Sequence, residues 1–371
     1  MLGRRLVFRS ICAVLSLAGF PARASEALKL GAFIDSYYAY DFDHPPSLDR
    51  ILLYPSGNAY ATQPVRNNEF NVNLAFVEAK LQSEKIRGRL ALQAGNSVQV
   101  NYAADSAADQ ARYGGAGGIS RYFQEAYVGY QAAPRLWVTG GIFFSHLGFE
   151  SWISRDDWCY TRALVSDNSP YYQTGVKVDY RFSDLFSAQV DLLNGWQNIN
   201  ENNPQKSVGT QIVYTPNGSF TYTYNTFFGR EPDGTGTQGS RIYQELIAKW
   251  SASDRLQLAA ELDLGLQKPG GSDSTNPWYA ATLFAQYQTS PVASVALRVE
   301  KFIDLHEAVI GALPTGFDAA GVSVGINLAL QPTLLWRNEV RGFFAAEDLF
   351  PTKSGASNMD GFVVSSLALT L

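Results

Sequence analysis

The chain has 371 residues, of which 46% are hydrophobic and 17% charged, with a formal net charge of −5. That length allows one large domain or two ordinary ones, and the mild charge without a polybasic block excludes nucleic acid as a partner. Beyond the N-terminus there is no eighteen-residue apolar run, which excludes a bundle of membrane helices.

Residues 1–24 read as a secretory signal. Arg4, Arg5 and Arg9 supply the positive start, Ile11 to Phe20 the apolar stretch, and Ala22-Arg23-Ala24 the small-x-small cleavage pattern. Cleavage there leaves 25–371 as the working domain, starting at Ser25. Cys12 leaves with the signal, so Cys159 remains alone and no internal disulfide can form.

From Leu28 onward the dominant period is two, the mark of strands with unlike faces. Leu256, Leu258, Ala260, Leu262, Leu264 and Leu266 alternate with Gln257, Ala259, Glu261, Asp263, Gly265 and Gln267. Sixteen segments follow this rule: 27–40, 67–81, 87–102, 120–131, 135–144, 170–180, 186–196, 207–215, 219–228, 241–251, 255–267, 277–288, 293–303, 319–330, 334–343 and 360–371. Most are long enough to cross a bilayer when tilted. The second changes phase near Phe76 and Val77, which predicts a bulge. No helical-period segment of useful length interrupts the series.

Short links with turn chemistry, such as Ala132-Ala133-Pro134, Thr215-Pro216-Asn217-Gly218 and Gln331-Pro332-Thr333, alternate with long polar links. Tight periplasmic turns and longer extracellular loops are what a transmembrane barrel requires. The fold class expected is therefore all-β: a transmembrane, antiparallel, up-and-down β-barrel of about sixteen strands in the outer membrane of a Gram-negative bacterium. Aromatics at strand ends fit the interfacial girdles of such barrels: Tyr37, Tyr38, Tyr40, Tyr122, Tyr171, Tyr172, Trp196, Trp250, Trp278 and Tyr279.

Several stretches resemble the β-barrel porin-2 family of bacterial outer-membrane proteins. They are Gly31-Ala32-Phe33-Ile34-Asp35-Ser36-Tyr37-Tyr38, Asn67-Asn68-Glu69-Phe70-Asn71-Val72-Asn73-Leu74 and Leu92-Gln93-Ala94-Gly95. The longest, Gly141-Ile142-Phe143-Phe144-Ser145-His146-Leu147-Gly148-Phe149-Glu150-Ser151, leads to Asp167-Asn168-Ser169-Pro170-Tyr171-Tyr172, and Asn194-Gly195-Trp196 and Thr226-Phe227-Phe228-Gly229 follow in order. The resemblance covers nearly all of 25–371 and implies an outer-membrane barrel with a pore. It brings no substrate and no catalytic residue.

Strand phase puts Lys29, Asp35, Arg89, Lys177, Asp191, Lys249, Glu261, Asp263, Arg298, Glu300, Arg337, Glu339 and Arg341 on the lumen side. Charge there tunes ion selectivity or forms cross-strand pairs, and both uses require a polar interior. Arg337, Glu339 and Arg341 share one face and make the best charged pore wall. The loop 145–169 carries Trp152, Trp158 and Tyr160 among Arg155, Asp156, Asp157 and Arg162, and occupies the place of a constriction loop in strand order. Folded inward, its charges would form an eyelet; folded outward, its aromatics would stabilise an external loop. His44, His146 and His306 are scattered over loops without ligand spacing, so no metal site is expected. Asp105 and Asp109 are expected to be solvated, and Cys159 to be a loop thiol without function.

Three functions fit such a barrel. A sixteen-strand barrel is wide enough for a passive channel for small hydrophilic solutes or ions, which needs no cofactor. An outer-membrane lipid hydrolase would need a Ser or Thr beside a His on the outer wall. A plugged structural or adhesive barrel would act through its long loops. The partners expected are outer-membrane lipid, small hydrophilic solutes and further copies of the chain.

Overall fold

A computed structural model of the chain describes residues 27–113, 118–311 and 315–371. The expected signal, 1–24, lies outside them. In chain order the elements are β1 (Ala27–Asp41), β2 (Glu69–Gln82), β3 (Ile86–Ala94), α1 (Asn96–Asn101), α2 (Ala103–Tyr113), β4 (Phe123–Ala133), β5 (Leu136–Phe144), α3 (Leu164–Asp167), β6 (Tyr172–Arg181), β7 (Phe186–Leu193), β8 (Ser207–Asn217) and β9 (Phe220–Pro232). There follow β10 (Gln238–Ser251), β11 (Leu256–Pro269), β12 (Asn276–Ser290), β13 (Ala293–Asp304), β14 (Phe317–Gln331), β15 (Leu334–Ala345), a small hairpin of β16 (Phe350–Thr352) and β17 (Gly355–Ser357), and β18 (Met359–Thr370).

Sixteen of these strands pair with their chain neighbours, all antiparallel, and β1 also pairs β18, closing the barrel with Phe33 opposite Thr370 and Tyr40 opposite Val363. Closure matters physically. In hydrocarbon an open edge would leave a row of backbone groups unbonded, each at a cost of several kcal/mol. Both ends of the sheet therefore meet. Seven short links (83–85, 134–135, 182–185, 218–219, 252–255, 291–292 and 332–333) gather at the end that also holds the start of β1 and the finish of β18. The long links gather at the other end.

The strands carry the expected alternation. Leu262, Leu283, Leu297, Val299, Val324 and Val340 point outward and are exposed, while Glu261, Asp263, Arg298, Glu300, Arg337, Glu339 and Arg341 on the opposite parity are buried inside. Outward apolar residues of this kind form the lipid-facing band.

Four sequence expectations need correction. The third segment is shorter than 87–102: the strand stops at Ala94, and Gly95, at φ 145°, turns the chain into α1. Helices are not absent, since α1 and α2 fill the link from β3 to β4. The bulge in β2 lies at Asn73, which is extra between the pairs Asp35–Leu74 and Ser36–Val72, not at Phe76 and Val77. It turns Asn73 and Leu74 both inward. Finally, Tyr37, Tyr171, Tyr172 and Trp278 are buried inside rather than in a girdle. Period two puts Tyr38 and Tyr279, the strand neighbours of Tyr37 and Trp278, outside, whereas Tyr171 precedes β6 and is buried together with Tyr172.

The outward set gives a test. Leu262→Arg and Leu283→Arg, on neighbouring strands, should each destabilise the barrel by roughly 2–4 kcal/mol, the cost of a cation on the lipid face near the midplane. The yield of heat-modifiable, folded protein measures this, and unchanged yields would remove these strands from the membrane.

Candidate functional site

The interior is not an empty polar tube. Loops 42–68 and 145–171 and the segment 95–113 enter it from the long-loop end and bury an apolar mass against the wall. Ile51, Leu53, Tyr60 and Val65 of the first loop and Leu147, Tyr160, Leu164 and Val165 of the third pack with Phe143, Tyr243, Trp278, Phe302, Phe317, Phe343 and Phe362 of the strands. The wholly polar interior expected from strand phase is thus corrected. Inward aromatics near the long-loop end meet loop side chains, not water.

Loop 145–171 is held by charge. A backbone segment crossing a lumen must satisfy its own N–H and C=O groups, and the wall side chains do this one by one. Arg337 donates to the carbonyls of Ser154, Asp157 (2.8 Å) and Trp158 (3.1 Å), and its Nε to Asn327 Oδ1 (2.7 Å). Arg341 donates to Arg162 O (2.8 Å) and Thr161 Oγ1 (3.0 Å). Glu339 accepts from Thr161 N (2.7 Å) and Oγ1 (2.6 Å), and Glu300 accepts from Leu164 N. Arg298 pairs with Glu150 of the loop at 2.8 Å and lies 3.5 Å from both Glu300 and Glu339. Arg341 pairs with Glu300 at 2.5 Å. Two guanidinium groups, of Arg298 and Arg341, thus pair with three carboxylates while Arg337 holds loop carbonyls, and all six side chains are buried. Removing one partner of such a group leaves an uncompensated buried charge, a loss of roughly 3–5 kcal/mol.

Arg337, Glu339, Arg341, Arg298 and Glu300 therefore face the lumen, as the phase predicts, but lie beneath the loop instead of forming a hydrated wall. Glu261 and Asp263 are likewise covered; Phe149 N donates to Glu261 Oε1 at 3.1 Å and Tyr243 OH to Asp263. Arg89 is buried against Glu78, Glu125 and Gln124. Lys177 is half-buried, its ammonium 4.6 Å from the Phe143 ring centroid.

Of the loop's four charged candidates only Asp156 is exposed. Arg155 is half-buried and reaches the β14–β15 turn, donating to Pro332 O (2.8 Å) and Thr333 O (3.2 Å), so the loop descends toward the short-turn end. Asp157 is buried and accepts from Ser151 N (2.6 Å). Arg162 is buried with its guanidinium over Trp152 (4.7 Å) and Tyr171 (4.5 Å), and donates to Gln63 of loop 42–68 (2.7 Å). It locks two loops together.

Sequence reasoning missed four anchors. His146 is buried, with Nδ1 3.0 Å from Asp191 and Nε2 3.0 Å from Thr226 O. Asp105, expected to be solvated, accepts from Tyr172 OH (2.6 Å) and Ile199 N (3.0 Å) and holds α2 to the wall. Asp109 likewise accepts from Ser120 N (2.9 Å) and Asn200 Nδ2 (2.8 Å). Arg50, which no strand pattern includes, stacks 3.6 Å from the Phe362 ring centroid and pairs with Asp360 at 3.2 Å, tying loop 42–68 to β18.

A closed sixteen-strand barrel with a loop held across its lumen has the architecture of an outer-membrane porin. The chain belongs to the family described as "Putative beta-barrel porin-2, OmpL-like", whose model matches residues 27–370. It is thus a porin-like outer-membrane channel, as the resemblance implies. The fold is similar to in-vitro folded OmpT of Vibrio cholerae in its trimer form (TM-score 0.63, 9% identity, 94% of this chain and 100% of that chain). It is also similar to the anion-selective porin from Comamonas acidovorans (TM-score 0.61, 10% identity, 93% and 100%) and to Pseudomonas putida OprB (TM-score 0.57, 11% identity, 93% and 94%). No curated protein matches the sequence.

Cys159 reports on the loop. It is fully buried in the fold, and burial pushes its thiol well above the ordinary range, so the nucleophilic thiolate is suppressed. A small maleimide should leave the folded barrel unlabelled and react after denaturation. Arg337→Gln should speed labelling by about tenfold or more, since a single lost hydrogen bond to a charged group is worth about 1.5 kcal/mol. Rapid labelling of the folded wild type would put the loop outside.

Proposed function

We propose that the barrel passes small hydrophilic anions by diffusion past loop 145–171. The observation that carries this is the inward charge left without an ionic partner. Lys177 and Lys249 belong to no ion pair among the described residues; their ammonium groups lie 4.6 and 5.9 Å from the ring centroids of Phe143 and Trp158. Near the short-turn end the inward acids are matched, Asp179 by Arg87 at 2.5 Å and Glu78 by Lys80 at 2.8 Å and by Arg89, while the acids without a cation, Glu245, Glu261 and Asp263, are buried under the loop and border no passage. A narrow path with unbalanced positive charge admits anions more readily than cations. The anion-selective Comamonas porin, similar in fold, supports the reading.

In this reading the buried charges Arg298, Glu300, Arg337, Glu339 and Arg341 line no solvent path; they fix the loop, while Arg155 and Asp156 border the passage. The channel is not an enzyme and uses no cofactor. His146 points into the barrel toward Asp191, so it cannot serve a lipid hydrolase on the outer wall. Copies of the chain associate, as the OmpT trimer supports. The packed loop end favours a plugged barrel as the second reading.

Single-channel recording in a salt gradient decides between them. Lys177→Gln combined with Lys249→Gln should move the reversal potential toward cations while the barrel still folds. An unmoved reversal potential would contradict the anion path. No conductance from folded wild-type protein would establish the plugged barrel.

A further inference from the structure

The six charges beneath loop 145–171 balance, but a second set beside them does not. Glu245 of β10 stands opposite Asp263 of β11 in register, and Glu261 lies two residues along the same face. All three are buried, and carboxylate oxygens of the three lie within 4.8 Å of one another. None of the three pairs with a Lys, Arg or His among the described residues; the nearby guanidinium groups are taken up by Glu150, Glu300 and Glu339. Three buried negative charges without a counter-charge are not a stable arrangement.

Two of the three carboxylates are half used. Glu245 Oε1 accepts from Gly148 N (2.8 Å) and its other oxygen from Asn225 Nδ2. Glu261 Oε1 accepts from Phe149 N (3.1 Å), and Asp263 Oδ1 from Tyr243 OH. Glu261 Oε2 and Asp263 Oδ2 have no donor. Two neutral oxygens beside them are equally unpartnered. Thr282, 1% exposed, is the cross-strand partner of Glu261 on the same face, and its Oγ1 has no partner. Asn225, fully buried and opposite Glu245 in register, turns its amide nitrogen to that carboxylate and leaves Oδ1 unbonded. Directly opposed side chains have Cβ atoms about 4.5–5.5 Å apart, so Asn225 flanks the cluster beside Glu245 and Thr282 flanks its other side beside Glu261.

We propose that Glu245, Glu261 and Asp263, with Thr282 and Asn225, form a binding site for one divalent cation, with Ca²⁺ the best fit. The donors are all oxygen, as a hard cation requires. Mg²⁺ demands near-ideal octahedral geometry and keeps several waters, whereas Ca²⁺ accepts an irregular set of carboxylate, amide and hydroxyl oxygens. A buried, irregular set of this kind suits Ca²⁺. A cavity of about 230 Å³ between His146, Gly148 and Phe149 of the loop and Gln211, Asn225 and Lys249 of the wall brings solvent as far as Asn225, the side chain bonded to Glu245. Because Glu245 and Glu261 each spend one oxygen on a loop N–H, the ion would tie the start of loop 145–171 to β10 and β11. The site is independent of whether solute passes, since binding can be read without conductance.

The test uses the folded full barrel after chelator treatment, with Tb³⁺ as the probe and Tyr243, bonded to Asp263, as the sensitiser. Tb³⁺ luminescence should saturate at one ion per barrel and be displaced by Ca²⁺. Glu261→Gln combined with Asp263→Asn should weaken Ca²⁺ by more than the roughly 10–100-fold that follows loss of a mere supporting group. No saturable signal in the wild type, or equal affinity in a heat-modifiable double variant, would overturn the site. A measurement on wild-type protein needs no variant: infrared spectra of the chelated barrel should show protonated carboxyl groups that Ca²⁺ abolishes. A carboxyl band indifferent to Ca²⁺ would mean that shared protons, not a cation, neutralise the three acids.

Discussion

A loop that crosses a barrel at depth must bring partners for every peptide group it carries out of water, and this requirement organises the interior. Each unmade backbone hydrogen bond would cost about 1–3 kcal/mol, so a bare lumen wall could not hold the segment from Gly148 to Leu164. The wall answers with side chains of the right sign. Guanidinium groups of Arg337 and Arg341 take the loop's carbonyls, while Glu245, Glu261, Glu300 and Glu339 take its N–H groups. Arginine suits the task because its planar fork serves two or three acceptors at once.

From that constraint the rest follows. Once the loop is in place, the strand aromatics above it lose contact with water and pack with loop 42–68, giving the apolar mass around Tyr60, Phe317, Phe343 and Phe362. Arg162 then clamps the two loops between Trp152, Tyr171 and Gln63. The outer wall is indifferent to all this: its face repeats Leu, Val and Ile because the bilayer asks only for apolar surface. One strand thus serves two solvents, lipid outside and a loop inside.

The outer half of this arrangement is legible in the sequence, and the inner half only partly. Period two in Leu256 to Gln267 reports a two-faced strand whatever lies on either side, and sixteen such segments with alternating links leave a closed barrel as the consistent fold. The same parity correctly turns Glu261, Arg298 and Arg341 inward. It cannot say whether an inward charge meets water or a backbone, because that depends on where a loop far along the chain comes to rest. Glu339, for instance, binds Thr161, 178 residues away. Parity did contain the signal that Trp278 points inward, since it shares its face with Ala280 and Thr282; placement at a strand end obscured it. Helix α2 has only alanines, Ala104, Ala107, Ala108 and Ala111, for an apolar stripe, and they stay exposed while Asp105 and Asp109 are buried, so the usual apolar-inward signal of a helix was missing. The bulge at Asn73 was displaced by three residues because Leu74 and Phe76 both face inward, so the break in phase shows only when the pairing with β1 is known.

The account rests on loop 145–171 as the element that narrows the passage, and conductance tests this most directly. Replacing the segment between Arg155 and Arg162 by a short Gly-Ser link, in a barrel that remains heat-modifiable, removes the constriction while Arg337 and Arg341 stay on the wall. Planar-bilayer recordings should then show larger single-channel conductance than wild type. Conductance unchanged from wild type would contradict the account, because the passage would then be narrowed elsewhere.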